Sequence, residues 1–270
     1  MKVAFIGGGN MAAAILGGLV AKGTRGEDVL VVEPNAAARA KLAADFHVNA
    51  VEAPGEEIAH ANVIVLAVKP QVMREAAASI RPHLRKQLVV SIAAGIRLVD
   101  LARWLGGYTR LVRAMPNTPA LVHAGVTGLF ASEGVAEADR RAANDLLGAV
   151  GATVWFDREG DLDAVTAVSG SGPAYVFYAM EALEAAARDL GLAPEKARTL
   201  ALWTFVGAAK LAVERNEDPA RLRANVTSKG GTTERALSVM EGHLVREKFV
   251  EAVKAAAERS RELGEEFGKG

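Results

Sequence analysis

Gly230 and Gly231 stand between two segments of helical periodicity and are followed directly by Thr232 and Thr233. Glycine lets a backbone approach a ligand closely. A helix opening at Thr232 would offer free amide N–H groups at its positive end, an arrangement that attracts anions. At the other end of the chain, Gly7-Gly8-Gly9-Asn10-Met11-Ala12 matches the G-x-G-x-x-G/A fingerprint of dinucleotide binding. A lone match is weak, but this one follows an apolar strand and opens an apolar helix, the setting the motif requires. Gly7 allows the tight turn, Gly9 lets a pyrophosphate approach, and Ala12 permits close helix–strand packing. A cofactor site paired with a small-carboxylate site implies a dehydrogenase or reductase acting on a small acid.

Further residues group around that fingerprint. Ile6 ends the strand that leads into it. Glu33 follows the second strand, 24 residues after Gly9, where an acid commonly holds the adenosine ribose hydroxyls. A solvated strand-end acid would look the same. Glu33 should repel the 2′-phosphate of NADPH and accept hydrogen bonds from the ribose of NADH, and Arg39 could partly offset the repulsion. Ala67-Val68-Lys69-Pro70 closes another strand at the edge that borders the cofactor in such sheets. Lys69 could equally be a plain surface lysine.

The elements that must position these residues divide the chain in two. Val3–Ile6, Val29–Val32, Val63–Val68, Leu88–Ile92, Leu111–Ala114 and Thr153–Phe156 read as strands, several of them continuous apolar runs suited to parallel strands covered on both faces. Helical stretches lie between them: Met11–Lys22, Ala36–Phe46, Glu56–Ala61, Val72–Ile80, Leu98–Leu105 and Glu137–Val150. This alternation predicts an α/β, doubly wound, Rossmann-type domain over residues 1–160. After Asp161 the strand signals stop, and Leu162–Leu190, Pro194–Glu214, Pro219–Val226, Thr232–Met240 and Val245–Leu263 all read as helix. An all-helical domain over residues 161–270 is expected.

Composition narrows the function class. Thirty-two basic and thirty-two acidic side chains cancel, so no global field favours nucleic acid or anionic lipid. With no cysteine, disulfides and thiolate catalysis are excluded, and a reducing cytoplasm is the expected setting. His47, His60, His83, His123 and His243 are scattered without metal-ligand spacing, so no metal is expected. The apolar start of the chain superficially suggests a secretion signal, but Gly7–Asn10 interrupts it. The run Leu200–Val213 is too short to span a bilayer and carries Lys210.

Five motifs occur in order: Gly7-x-Gly9-Asn10-Met11, Ala67-Val68-Lys69-Pro70, Arg113-Ala-Met-Pro-Asn-Thr118, Ser169-Gly-Ser-Gly-Pro-Ala-Tyr175 and Val226-Thr-Ser-Lys-Gly-Gly-Thr-Thr233. Together they resemble the pyrroline-5-carboxylate reductases, over essentially the whole chain. The resemblance implies NADPH- or NADH-dependent reduction of a cyclic imine to proline. It also implies a homodimer interlocked through its helical domains, with larger rings such as a decamer built from dimers. Substrate carboxylate is then expected at Ser228, Gly230, Gly231, Thr232 and Thr233, with Thr233 near the ring nitrogen as the catalytic group. The resemblance adds Asn117 to the cofactor set, although capping a turn is its other reading. Lys229 departs from the family, which usually has proline there.

Two other readings are weighed against this one. The β-hydroxyacid dehydrogenases resemble the chain at a Gly-x-Gly-x-x-x-Lys-x-x-x-Asn motif, but aligned on Gly170 and Gly172 this chain has Val176 and Met180 at the lysine and asparagine positions. The base needed for alcohol oxidation is missing there. A non-catalytic dinucleotide-binding module leaves the Gly-Gly-Thr-Thr anion site without a purpose. The Ser169-Gly-Ser-Gly-Pro-Ala stretch reads as either a helix interruption or a hinge by the nicotinamide.

Overall fold

A computed structural model describes residues 1–269. Eight strands form one sheet: β1 Val3–Ile6, β2 Val29–Val32, β3 Asn49–Val51, β4 Val63–Leu66, β5 Leu88–Ser91, β6 Leu111–Met115, β7 Gly125–Ala131 and β8 Gly151–Trp155. The helices are α1 Asn10–Ala21, α2 Ala36–Phe46, α3 Met73–Ile80, α4 Leu98–Trp104, α5 Glu137–Leu147, α6 Asp161–Val165, α7 Gly172–Asp189, α8 Pro194–Arg215, α9 Pro219–Asn225, α10 Thr232–Gly242 and α11 Val245–Gly268. Strand order is β3-β2-β1-β4-β5-β6-β7-β8. All neighbours are parallel except β6 and β7.

The apolar strand runs behave as two-sided burial requires. In β1, Val3 and Phe5 face a cluster with Ile15, Leu16 and Leu19 of α1 and Leu146 of α5. Ala4 and Ile6 face the opposite cluster with Met73, Ala77 and Ile80 of α3 and Leu101 of α4. Period-two alternation thus feeds two helix layers from one strand. Strand order reverses between β1 and β4, the switch point at which open α/β sheets form their ligand crevice.

Two compact units arise: Met1–Ser171 together with the segment from Ala256 onward, and Gly172–Ala255. The break in composition at 160/161 marks where strands cease. The compact units part later because α6 packs on the sheet: a Cβ at Gly128 of β7 would lie 2.8 Å from Val165 Cγ1. The last turns of α11 also return to the first unit. Ser260 Oγ donates to Asp163 Oδ1 (2.8 Å), and Arg97 Nη2 donates to Asp163 Oδ2 (2.6 Å).

Several local expectations change. The region 162–190 is not one helix: α6 passes into a π-turn at Thr166–Gly170 before α7 begins. Glu56–His60 is a 3-10 turn rather than an α-helix. The strands β3 and β7 are additional. β3 is only Asn-Ala-Val, and β7 carries two glycines, which weaken a strand signal.

The second unit has a different economy of burial. None of the side chains of α7 is buried, and in α8 only Ala197 and Ala201 are. Tyr178 is 76% exposed, Trp203 69% and Val213 82%.

Candidate functional site

The parallel register places the carboxyl ends of β1, β4, β5 and β6 on one edge. Gly7 turns away from β1 with φ +97°, a left-handed value suited to glycine. Its N–H donates to Val32 O (2.8 Å), and a Cβ there would lie 2.8 Å from Ala67 O. Ala67 N–H in turn donates to Ile6 O (2.8 Å). Ile6, Gly7, Ala67 and Val68 are therefore brought together, with Ile6 contributing backbone because its side chain is core. Lys69 is exposed and precedes the 3-10 turn opened by Pro70.

Gly9 caps α1 without a side-chain hydrogen bond, and a Cβ at Gly9 would meet nothing within 4 Å. Its carbonyl accepts the first helical bond, from Ala13 N–H (2.9 Å). The preceding N–H groups, at Asn10, Met11 and Ala12, therefore have no intrahelical acceptor at the positive end of a 12-residue helix. A dinucleotide pyrophosphate fits this cradle. Ala12 is buried against the sheet, as its small size requires.

Glu33 lies beside the same turn. Its Oε2 accepts from Gly8 N–H (2.9 Å) and its Oε1 from Asn35 N–H (2.9 Å). Arg39 Nη1 donates to Glu33 O (2.8 Å) and Pro34 O (2.7 Å), and its Nη2 to Glu52 Oε2 (3.3 Å).

Asn117 follows β6 and is buried. Its Oδ1 accepts from Val126 N–H (2.9 Å) and its Nδ2 donates to Ser169 O in the π-turn (3.0 Å). The amide thus joins the β6 end to the Ser169-Gly-Ser-Gly stretch, and one N–H and one lone pair remain for a ligand. The π-turn also crowds the end of β6, since a Cβ at Gly170 would lie 2.6 Å from Met115 Cε.

Sequence reasoning assigned nothing to Arg113, the largest fully buried side chain. Burial lowers its pKa, and the nearby Glu159 carboxylate opposes that effect. Arg113 Nη1 donates to Glu159 Oε1 (3.1 Å), which also accepts from Leu98 N–H (2.8 Å). The available signal was a lone arginine inside the apolar run Leu-Val-Arg-Ala-Met of β6.

In the second unit, Gly230 has φ +72°, and a Cβ there would meet nothing within 4 Å. Gly231 N–H donates to Ser228 O (3.0 Å), and Gly230 N–H donates to Glu234 Oε2 (2.7 Å). Glu234, in the first turn of α10, was another residue the sequence did not single out. Gly231 is the N-cap, with no side-chain hydrogen bond. The next three N–H groups, at Thr232, Thr233 and Glu234, begin an 11-residue helix and have no intrahelical acceptor. Thr233 is half-buried and Thr232 exposed. Lys229 is exposed, one residue before the glycines. No group of three or more His, Asp or Glu among the described residues could hold a metal.

Comparisons with known proteins bear on both ends of the chain. A profile described as "Pyrroline-5-carboxylate reductase dimerisation" matches residues 159–263, and one described as "NADP oxidoreductase coenzyme F420-dependent" matches residues 2–95. The pyrroline-5-carboxylate reductase of Pseudomonas aeruginosa is 46% identical over 99% of this chain and 98% of its own length. That of Haemophilus influenzae is 42% identical, covering 97% of each. Among solved structures, a pyrroline-5-carboxylate reductase from Coxiella burnetii matches with a TM-score of 0.93 at 40% identity, covering 97% of this chain and 98% of that one. The Plasmodium falciparum pyrroline carboxylate reductase with NADP bound gives 0.85 at 30%, covering 98% of each. With a dinucleotide cradle at one end, a Gly-Gly-Thr-Thr helix start at the other and this similarity along its whole length, the chain belongs to the pyrroline-5-carboxylate reductase family, oxidoreductases that use NAD(P)H to convert 1-pyrroline-5-carboxylate to proline.

Proposed function

We propose that the Gly-Gly-Thr-Thr start of α10 is where this chain holds the substrate for imine reduction. The observation that carries this reading is the set of free N–H groups at Thr232 and Thr233 behind two glycines, one of which leaves open space where a side chain would stand. The substrate carboxylate rests on those two N–H groups, where the helix dipole favours an anion. Ser228 and Gly231 form the turn that presents them, because Gly231 N–H is already given to Ser228 O. Gly230 keeps the approach clear. The Thr233 hydroxyl accepts from the protonated ring nitrogen and holds the imine bond in one orientation.

Bound reduced nicotinamide supplies the hydride equivalent that the imine carbon accepts. The chain's part is to hold the dinucleotide through Gly7–Ala12, Glu33 and the Ala67–Pro70 edge, and to aim the β6 end by the Asn117 link to the π-turn. Residues 161–270 act as the dimerisation and substrate-binding domain. The partner chain completes the site, and decamers formed from such dimers are the larger assembly. The cytoplasm is the compartment this reading assigns. Purified protein should oxidise NADH or NADPH only when 1-pyrroline-5-carboxylate is present, giving proline stoichiometrically. Absence of turnover with both cofactors would reject the assignment.

A further inference from the structure

We infer that this chain discriminates between the two nicotinamide dinucleotides at their adenosine end, favouring NADH over NADPH, and that Glu33 is the residue responsible. The inference rests on the reductase reading above for the reaction, but its geometry is independent of the substrate loop. Glu33 follows β2 at the carboxyl edge of the sheet, beside the turn that begins at Gly7. Its side chain lies against that turn: a Cβ at Gly8 would be 3.3 Å from Glu33 Cβ and 3.4 Å from Cγ. Both carboxylate oxygens are fixed by backbone donors, Oε2 by Gly8 and Oε1 by Asn35, each at 2.9 Å.

A carboxylate oxygen can accept two hydrogen bonds. Each Glu33 oxygen therefore keeps a lone pair for a ribose hydroxyl, and a diol supplies two donors. A 2′-phosphate has acceptors only and carries close to two negative charges. Placed beside this anchored carboxylate, it meets like charge with no donor to exchange. Swinging Glu33 away would break two backbone hydrogen bonds.

Neutralisation would have to come from a nearby cation. Between Glu33 and Lys41 the chain offers Arg39 and Lys41. The sequence suggested that Arg39 could relieve the repulsion, but its guanidinium is turned to the main chain. Nη1 holds the carbonyls of Glu33 and Pro34, and Nη2 reaches Glu52. Arg39 thus shapes the turn that carries Glu33. Lys41 Nζ donates to Asp45 (2.8 Å) on the following helical turn.

The test uses the intact protein and calorimetric titration with ADP-ribose and with 2′-phospho-ADP-ribose, alongside steady-state kinetics with NADH and NADPH. The unphosphorylated ligand should bind roughly 10- to 100-fold more tightly, the range expected for an uncompensated like-charge contact. The kinetic difference should appear in KM with little change in kcat, because the 2′ position is remote from the reacting atoms. Glu33→Gln should shrink the gap roughly tenfold, mainly by tightening the phosphorylated ligand. If Glu33→Gln does not fold, as judged by its thermal melt, Glu33→Ser serves the same comparison. Equal or tighter wild-type binding of the phosphorylated ligand overturns the inference. So does a gap left intact in a folded Glu33 variant. Discrimination in binding with no imine turnover by either cofactor would reject the reductase assignment and leave the Glu33 inference standing.

Discussion

Thr233, half-buried, is the second residue of α10, where its amide has no intrahelical acceptor and its side chain adds a hydroxyl. Thr233→Ala keeps the amide and removes only the hydroxyl. Loss of one hydrogen bond to a charged ring nitrogen should lower kcat/KM by roughly tenfold to a hundredfold, equivalent to about 1.5–3 kcal/mol. Steady-state kinetics on the purified variant check this, and wild-type kcat/KM would remove Thr233 from the site. Lys229, where the family usually has proline, sits in a turn already held by the Gly231–Ser228 and Gly230–Glu234 hydrogen bonds. Lys229→Pro should therefore leave the melting temperature within a few degrees of the parent, since a compatible proline changes stability by only about 0.4–1 kcal/mol. A fall of more than about ten degrees in a thermal melt would show that the turn depends on lysine's freedom.

Among the elements, the π-turn and the strand end it touches are joined by buried polar links. Arg113 and Glu159 connect β6 to the approach of α6, while Asn117 connects the β6–β7 turn to Ser169. Glu159→Gln would leave the buried Arg113 charge without the carboxylate it is hydrogen-bonded to. Urea unfolding should show a loss on the order of 3 kcal/mol. The double change Arg113→Met with Glu159→Leu should recover most of it, since removing both charges also removes the desolvation problem. An unchanged midpoint for Glu159→Gln would mean the pair contributes nothing. The apolar strands and the glycine fingerprint were legible in the sequence because each is a local pattern: an apolar run, or a turn that needs a particular residue type. The Arg113–Glu159 and Arg97–Asp163–Ser260 links span 46 to 97 residues. No local periodicity encodes partners that only the folded topology brings together. β7 stayed hidden for a related reason, since its Gly128 serves the packing of α6 and carries no strand propensity of its own. The same holds for Glu33, whose type and position were readable but whose backbone anchors were not.

At the scale of the whole molecule, exposed apolar side chains on α7 and α8 leave the second unit short of a core of its own. The match to a reductase dimerisation profile over residues 159–263 accounts for them, and the chain is built to associate with copies of itself. A covering interface of the obligate kind exceeds ~2,000 Å². Light scattering coupled to size exclusion should give at least twice the chain mass, and dilution to the monomer should abolish activity. A fully active monomer would refute completion of the site by the partner. The last helix has a further consequence, for the order in which the protein can be made. Asp163 receives Ser260, and Gly95 lies against Phe267, some 90 to 170 residues later in the chain. A chain emerging from the ribosome presents its sheet long before these residues exist. The dinucleotide half therefore stays incompletely packed until Ser260 and Phe267 have been made, although domains generally fold in order from the N-terminus. A fragment stopped at Ser171 should accordingly be more protease-sensitive than the same segment in the full chain, because it lacks its final layer.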